Sequence, residues 1–370
     1  MAIKNERIQQ ISDLMDQAIK GKRRAQDAIK YEIEGIYETE ESHSTSDFPA
    51  AFQAVTNRAV LGQYERIQSV WTQYAKPYDV QNLRPQSYYS FFPDYSNLPE
   101  ANGGKNTVPG GLPRVPELTE FPTFSFAASE GSWTVKKFGA RVSFSFEMLL
   151  NDEWGVLESL PQELAFLAGN TEDITATEVL ASATGPNTTT FTGANLIAGN
   201  PSLDIQPLLD AMNAIRARKF NGNPVVVSKF ILMVPPALAA HAQQITSISG
   251  LQVTDINGTY NIANPVSEVT VVVNPWLPII DLSANANTTW YLLPAASGGT
   301  RPAVVFSKIR GRGTPELRIA TQGGQYLGGG PVPGLEGSFE TDDIQFRVKH
   351  YVGAAAIATE TMAASTGVGT

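Results

Sequence analysis

Within residues 134–182 the hydrophobic period of the sequence switches once, with no linker between the two halves. In the first half Val142, Phe144 and Phe146 alternate with Arg141, Ser143 and Ser145, which predicts a strand with one buried face. Asn151 and Asp152 then supply N-cap chemistry. Beyond them Leu157, Leu160, Leu164, Leu167 and Ile174 fall on one helical stripe, and Glu158, Glu163 and Glu172 fall off it. Pro161 sits near the predicted helix start, where its missing N–H does least harm. A long amphipathic helix fed directly by a half-buried strand is a packing spine, not an active site. Any fold for this chain is built around it.

At 370 residues a compact chain buries roughly 75% of its unfolded surface and divides into two or three domains. Charged residues make up 17%, against about 25% in ordinary soluble domains. The shortage is local. Between Ala181 and Thr300 only Arg216, Arg218, Lys219 and Lys229 face Asp204, Asp210, Asp255, Glu268 and Asp281. Surfaces that meet neighbours tolerate such depletion, because interface cores exclude charge. A neutral, secreted-type β-rich domain has the same composition. The net charge of -9 argues against a broad basic face that grips nucleic acid, though not against a protein that encloses it. The absence of cysteine excludes disulfides, thiol nucleophiles and thiolate metal sites. The opening MAIKNERIQQ reads as polar and helical rather than as a secretion signal, so the sequons at Asn187, Asn257 and Asn287 read as chance. The longest apolar run, 269–280, is broken by Asn274, Pro275 and Pro278, and no membrane span is expected.

Taken in order, residues 4–41 predict one or two helices on a thin stripe of Ile8, Ile11, Met15, Ala18, Ala25, Ile29, Ile33 and Ile36. Five positives in Lys20–Lys30 precede five negatives in Glu32–Glu41. Such a segment is either an arm for a neighbouring copy or a lumen, or a solvated helix on its own molecule. After the linker 41–47, Asp47 and Pro49 start another helix with Phe52, Val55, Leu61, Tyr64, Ile67 and Trp71 on its stripe. From Pro77 to Phe146 the texture is a long hairpin, with strands at Gln86–Phe92 and Phe121–Phe126 and a turn-rich tip at 99–117. That tip has no core of its own and, if ordered, lies on something else.

From Ala183 to Ala320 an α/β region is expected. A helix at Ile205–Phe220 leads to a buried strand at 224–234, and Pro235 and Pro236 open a second helix with Leu238, Ala239 and Ile245. Strands follow at Glu268–Val273, Thr289–Leu293, Ala303–Phe306 and Glu316–Ile319. A glycine-rich run at 323–337 precedes a strand that buries Ile344, Phe346, Val348 and Val352, and the small, polar tail Thr359–Thr370 is expected to fray.

No catalytic, cofactor-binding or metal-binding residue emerges. His43, His241 and His350 lack partners at ligand spacing and read as structural. No nucleophile elbow or phosphate loop is present, and GRGTPE around Arg312 reads as a turn. Glu38, Glu40, Glu41, Asp342 and Asp343 read as solvated charge runs, and KGKRR at 20–24 offers only sequence-blind phosphate contact.

The segment 134–165, through Gly139, Ser145, Glu147, Met148, Leu149, Asp152, Gly155, Leu160 and Pro161, resembles the strand-to-helix junction of tailed-bacteriophage major capsid proteins, which have the Hong Kong 97-type shell fold. IQFRVKHYVGAAAI at 344–357 resembles that family's closing strand. The resemblance implies an α+β fold in five parts. These are an N-terminal helical arm (1–76), an extended β-hairpin loop (77–133), a peripheral domain with a long spine helix (134–182), an axial α/β domain (183–322), and a return strand with the C-terminal tail (323–370). It implies a structural protein rather than an enzyme, forming hexamers and pentamers of an icosahedral shell around double-stranded DNA. Assembly would take place in the bacterial host cytoplasm, and the location would be the virion. The implied partners are further copies, with scaffold, portal and decoration proteins, non-specific contact to packaged DNA, and no membrane.

By the same resemblance the inter-subunit residues are Ile8, Ile11, Met15, Ile29 and Ile33 on the arm and Asn102, Gly103, Lys105, Pro109 and Arg114 at the loop tip. Arg310 and Arg312 join them in axial loops drawn at Gly298–Thr300 and Lys308–Gly313. Some members join a loop lysine to a neighbour's asparagine. Lys105 holds the lysine position, but the glycine-rich run offers Gln322 and Gln325 and no asparagine, which argues against the bond. An encapsulin-type nanocompartment shell is the alternative with the same fold. A β-rich extracellular hydrolase or carbohydrate-binding module is the alternative from another class, and it predicts a monomer.

Overall fold

The structure, a computed structural model, describes residues 64, 68–93, 115, 117–118, 120–121, 126–145, 147, 156–220, 223–248, 250–255, 258–298, 301–320 and 338–368. The main elements in chain order are β1 (Ala75–Val80), β2 (Gln86–Pro93), β3 (Phe126–Trp133), β4 (Lys136–Ser145), α1 (Val156–Thr177) and α2 (Ile205–Ala217). They continue with β5 (Phe230–Val234), α3 (Ala239–Ser247), β6 (Thr270–Val273), α4 (Leu277–Ile280), β7 (Trp290–Pro294), β8 (Val304–Ile309), β9 (Glu316–Ile319), β10 (Asp343–Ala356) and β11 (Ala363–Ser365). They fall into two compact units. One takes Met1–Gln68, Lys137–Thr171 and Gly311–Tyr351, and the other takes Ser69–Lys136, Glu172–Arg310 and Val352–Thr370.

In the first unit β4 alternates as its sequence predicts, with Val142 and Phe144 half-buried and Arg141, Ser143 and Ser145 exposed. The first part of β10 buries Ile344, Phe346 and Val348, and these close on Leu164 and Ala165 of α1 and Leu317 of β9. Tyr64 and Phe144 pack against the rim of this cluster. β9 pairs antiparallel with β10 from Glu316↔Lys349 to Ile319↔Phe346. Gly139 lies so close to β10 that an added Cβ would stand 2.7 Å from the Val348 carbonyl oxygen.

Helix α1 differs from its leucine pattern. Leu167 is 50% exposed while Glu172 is 1% exposed. The buried stripe is Leu164, Ala165, Ala168, Glu172, Asp173, Ala176 and Thr177, because small side chains allow close approach and the acids find partners. Pro161 is the sixth residue of the helix, beyond the four free N–H groups of its first turn. Asn151 and Asp152 lie outside the described residues.

In the second unit a sheet runs β6-β5-β7-β11, with β6 parallel to β5 and the other pairs antiparallel. β5 is buried at every position, as suits a central strand of unbroken FILMV. Leu208, Met212 and Ile215 of α2 and Ala242 and Ile245 of α3 form one core cluster with Leu232 and Val234 of β5 and Trp290 and Leu292 of β7. Asp204 caps α2, its carboxylate accepting from the Ile205 N–H at 2.7 Å. The expected strand at 224–234 is shorter. Lys219–Phe220 and Asn223–Pro224 form a small hairpin, Val226 is exposed, and only Phe230 onward enters the sheet. A hairpin at Gly250–Asp255 and Gly258–Ala263 has no counterpart in the sequence reading.

β1 runs parallel to β8 from Ala75↔Val304 to Val80↔Ile309, and β8 pairs with residues 352–356 of β10. β2 and β3 form the expected hairpin, paired from Gln86↔Trp133 to Pro93↔Phe126. Its second strand begins where the aromatic run ends: Phe121 is outside it and exposed, and the paired stretch is FAASEGSW. Register, rather than aromatic content, fixes that strand. The tail also departs from expectation. Met362, Ala363, Ala364 and Ser365 are buried, and β11 pairs with β7. Alanine and serine are small enough to be packed there as an added strand.

Candidate functional site

Of the residues expected at inter-subunit contacts, Ile8, Ile11, Met15, Ile29, Ile33, Asn102, Gly103, Lys105, Pro109 and Arg114 lie outside the described residues, as do His43, Gln322 and Gln325. Arg310 is exposed at the end of β8, with its N–H donating to the Val80 carbonyl at 2.8 Å, and Gly311 turns the chain at φ +75. Arg312 is exposed as well. Lys308 was expected in that loop but belongs to β8, and its ammonium reaches Glu172 at 2.8 Å. Gly298 is a packed turn: its carbonyl accepts from both the N–H and the hydroxyl of Ser228, at 2.8 and 3.0 Å. His241 contacts the Leu203 carbonyl at 3.0 Å, and buried His350 meets the Tyr64 ring edge-on at 6.0 Å.

The densest buried polar cluster surrounds Glu172 and Asp173. Trp71 donates its indole N–H to one Glu172 oxygen at 2.9 Å, and Lys308 holds the other. The same indole stacks on Phe306 at 4.1 Å between centroids. Asp173 accepts from the Trp71 backbone N–H at 3.1 Å. Burial pushes its carboxyl up to about 6; the N–H groups of Trp71 and Val70 restrain the rise, and the nearby Glu172 charge adds to it. One turn on, Thr177 accepts from Asn274 Nδ2 at 2.9 Å, and Asn274 Oδ1 accepts from the Trp276 N–H. Burial likewise raises the Tyr74 phenol. Both Glu172 oxygens are occupied by fixed donors, so this cluster positions α1, β8 and the Val70–Gln73 turn rather than activating a water.

Two arginines fasten the tail. Arg218 donates to the carbonyls of Glu360 and Met362 at 2.9 and 2.7 Å and also to that of Ala194. Arg301 pairs with the Glu360 carboxylate at 2.8 Å and covers the Phe220 ring at 4.0 Å. The sequence reading missed this clamp. For Arg218 the one available signal was the scarcity of cations between Ala181 and Thr300, which marks each of them as placed; Arg301 falls just beyond that stretch.

Large apolar side chains remain in water: Phe166, Leu167 and Phe339 on the first unit, Val226, Ile279 and Leu282 on the second. Among the described residues no group of three His, Asp or Glu is placed to hold a metal ion, and no helix is long and apolar enough to cross a membrane.

The sequence pattern of the family described as phage capsid protein matches residues 129–365. The chain belongs to that family. The function of this capsid protein is structural, that of a major capsid subunit and virion component. Its matched region starts within β3 and ends within β11, so it includes α1, the β6-β5-β7-β11 sheet and the clamped tail, while β1 and β2 precede it. No curated protein matches the chain. Among solved structures, the capsid of cyanophage P-SCSP1u is similar with a TM-score of 0.46 at 11% identity, covering 80% of this chain and 87% of that one. A structure from Microbacterium phage Oxtober96 gives 0.45 at 12%, covering 79% and 88%. The holo-SrpI encapsulin complex from Synechococcus elongatus PCC 7942 gives 0.45 at 10%, covering 79% and 85%.

Proposed function

We propose that this capsid protein assembles through hexamers and pentamers into an icosahedral head that encloses double-stranded DNA, built in the bacterial host cytoplasm. The observation that carries this reading is the family match over 129–365. It is supported by the packing of Leu164 and Ala165 against Ile344, Phe346 and Val348, the arrangement expected of a spine helix with its returning strand in the Hong Kong 97-type fold. In this reading residues 1–76 are an arm, 77–133 an extended loop, 134–182 and 323–370 the peripheral domain, and 183–322 the axial domain. The mechanism is geometric: arm, loop tip and turns such as Arg310–Arg312 each bury area on neighbours, and many such interfaces close a shell. Exposed Phe166, Leu167, Ile279 and Leu282 are further area for that burial. Scaffold, portal and decoration proteins are the further partners this role calls for.

Negative-stain microscopy of the expressed chain tests the reading, with closed particles and nuclease-protected DNA expected. A monomeric mass at assembly concentrations would overturn it, and particles holding protein cargo instead of DNA would favour a nanocompartment. Deleting residues 100–112 should leave a folded, soluble chain that forms no closed shells. Normal particles from that deletion would remove the loop from the mechanism.

A further inference from the structure

On the first unit, the residues of the sheet that alternate with the buried Ile344, Phe346 and Val348 form an outward face of unusual charge. β4 and β9 both approach β10 near Val348 and Lys349, so they flank it on its two sides. The face carries Lys137 and Arg141 from β4, Arg318 from β9, and Arg347 and Lys349 from β10. Its only described carboxylates are Glu316 and Asp343, and both are engaged. Glu316 is held by Lys349 at 2.9 Å and by Arg318, and Asp343 accepts from Thr341 at 2.7 Å, from Gln345 at 2.7 Å and from Ser338. Arg318 and Arg347 stand directly opposite each other in register, like charges of which only Arg318 has a described carboxylate partner, Glu316. Arg141 reaches only a neutral partner, the Gln345 side-chain oxygen at 3.3 Å.

The chain is acidic overall, so this face is a local reversal of sign. The densest acidic run lies at Glu32, Glu34, Glu38, Glu40 and Glu41, and no lysine or arginine occurs from Tyr31 to Asn57. Every copy carries one such run and one such face, so the two match in number as well as in sign. A net charge of -9 disfavours a polyanion such as DNA at long range, whereas a short acidic segment is accommodated locally.

We propose that the outward face of β4, β10 and β9 is the docking surface for the acidic segment Glu32–Glu41 of a neighbouring copy, through arginine–carboxylate pairs at Arg141, Arg318 and Arg347. The choice of a neighbouring copy over the same chain rests on the shell reading above.

The absence of native cysteine makes the test clean. Differently tagged chains carrying Arg347→Cys and Glu38→Cys are mixed under assembly conditions and oxidised, and a disulfide-linked species containing both tags is expected. Lys219→Cys with Glu38→Cys, a position on the other unit, should give none. A mixed species no more abundant than in this control would overturn the proposal. So would a disulfide that forms only when both cysteines are on one chain. This readout needs contact, not closed particles, so failure of the shell reading and failure of the docking are separately visible. In parallel, Arg318→Glu with Arg347→Glu should lower particle yield about tenfold or more, and adding Glu38→Arg with Glu40→Arg should restore it. Normal particle yield from the arginine reversals would overturn the proposal, and if those particles lost only DNA, nucleic acid would be the occupant.

Discussion

Asp173 is a carboxyl that the fold holds at a cost. Its ordinary value of 3.8 is raised to about 6 in the folded chain, so the native state binds this proton more tightly than the unfolded state does. Its contribution to stability is complete below about pH 3.8 and is lost as pH rises through 6. Asp173→Asn keeps an acceptor for the Trp71 N–H without the charge. Relative to the parent, that variant should gain stability between pH 4 and pH 7, read from urea unfolding at the two values. A difference that stays flat across that interval would show that Asp173 does not titrate there. Gly353 makes a steric demand instead. An added Cβ would stand 2.5 Å from the Thr134 carbonyl oxygen and 2.9 Å from the Val135 Cα, both fixed backbone. Gly353→Ala should therefore lose about 1–3 kcal/mol in equilibrium denaturation.

At the scale of elements, the tail strand β11 is held by pairing with β7 and by the arginine clamp. Arg218→Ala would leave three carbonyls without their donor, and a loss on the order of 3 kcal/mol is expected in thermal or urea unfolding. An unchanged midpoint would mean that water replaces the guanidinium at no cost. The small, polar residues of Thr359–Thr370 predict a frayed tail. Its burial depends on strands far away in the chain, which no local pattern reports. Where an element reports its own burial, the sequence reading was accurate: β9 spans the expected Glu316–Ile319, and β10 buries the four expected residues Ile344, Phe346, Val348 and Val352. Helix α1 was legible in existence but not in facing, because alanines and a paired acid make up its buried stripe. The arm and loop-tip contacts lie on other copies by expectation, so a single chain's pattern specifies where such residues are but not what they touch.

At the scale of the molecule, the boundary between the two units passes through β4 after Lys136, through α1 after Thr171 and through β10 after Tyr351. Each unit is assembled from three separated stretches of chain, joined partly inside regular elements. Residues 172–310 expressed alone would contain β5, β6 and β7 but lack β1, β11 and the end of β10. That fragment should show no cooperative unfolding by circular dichroism, and a sigmoidal transition from it would contradict the dependence described here.

The late position of β11 bears on how the chain is made. β5 is complete at Val234 and β7 at Pro294, yet the strand beside β7 is not synthesised until Ala363–Ser365. A ribosome must therefore deliver a further stretch of polypeptide before the edge of β7 is covered. Until then Tyr291 and Leu292 wait with that side open, and the sheet reaches its finished order only once Ser365 has been made.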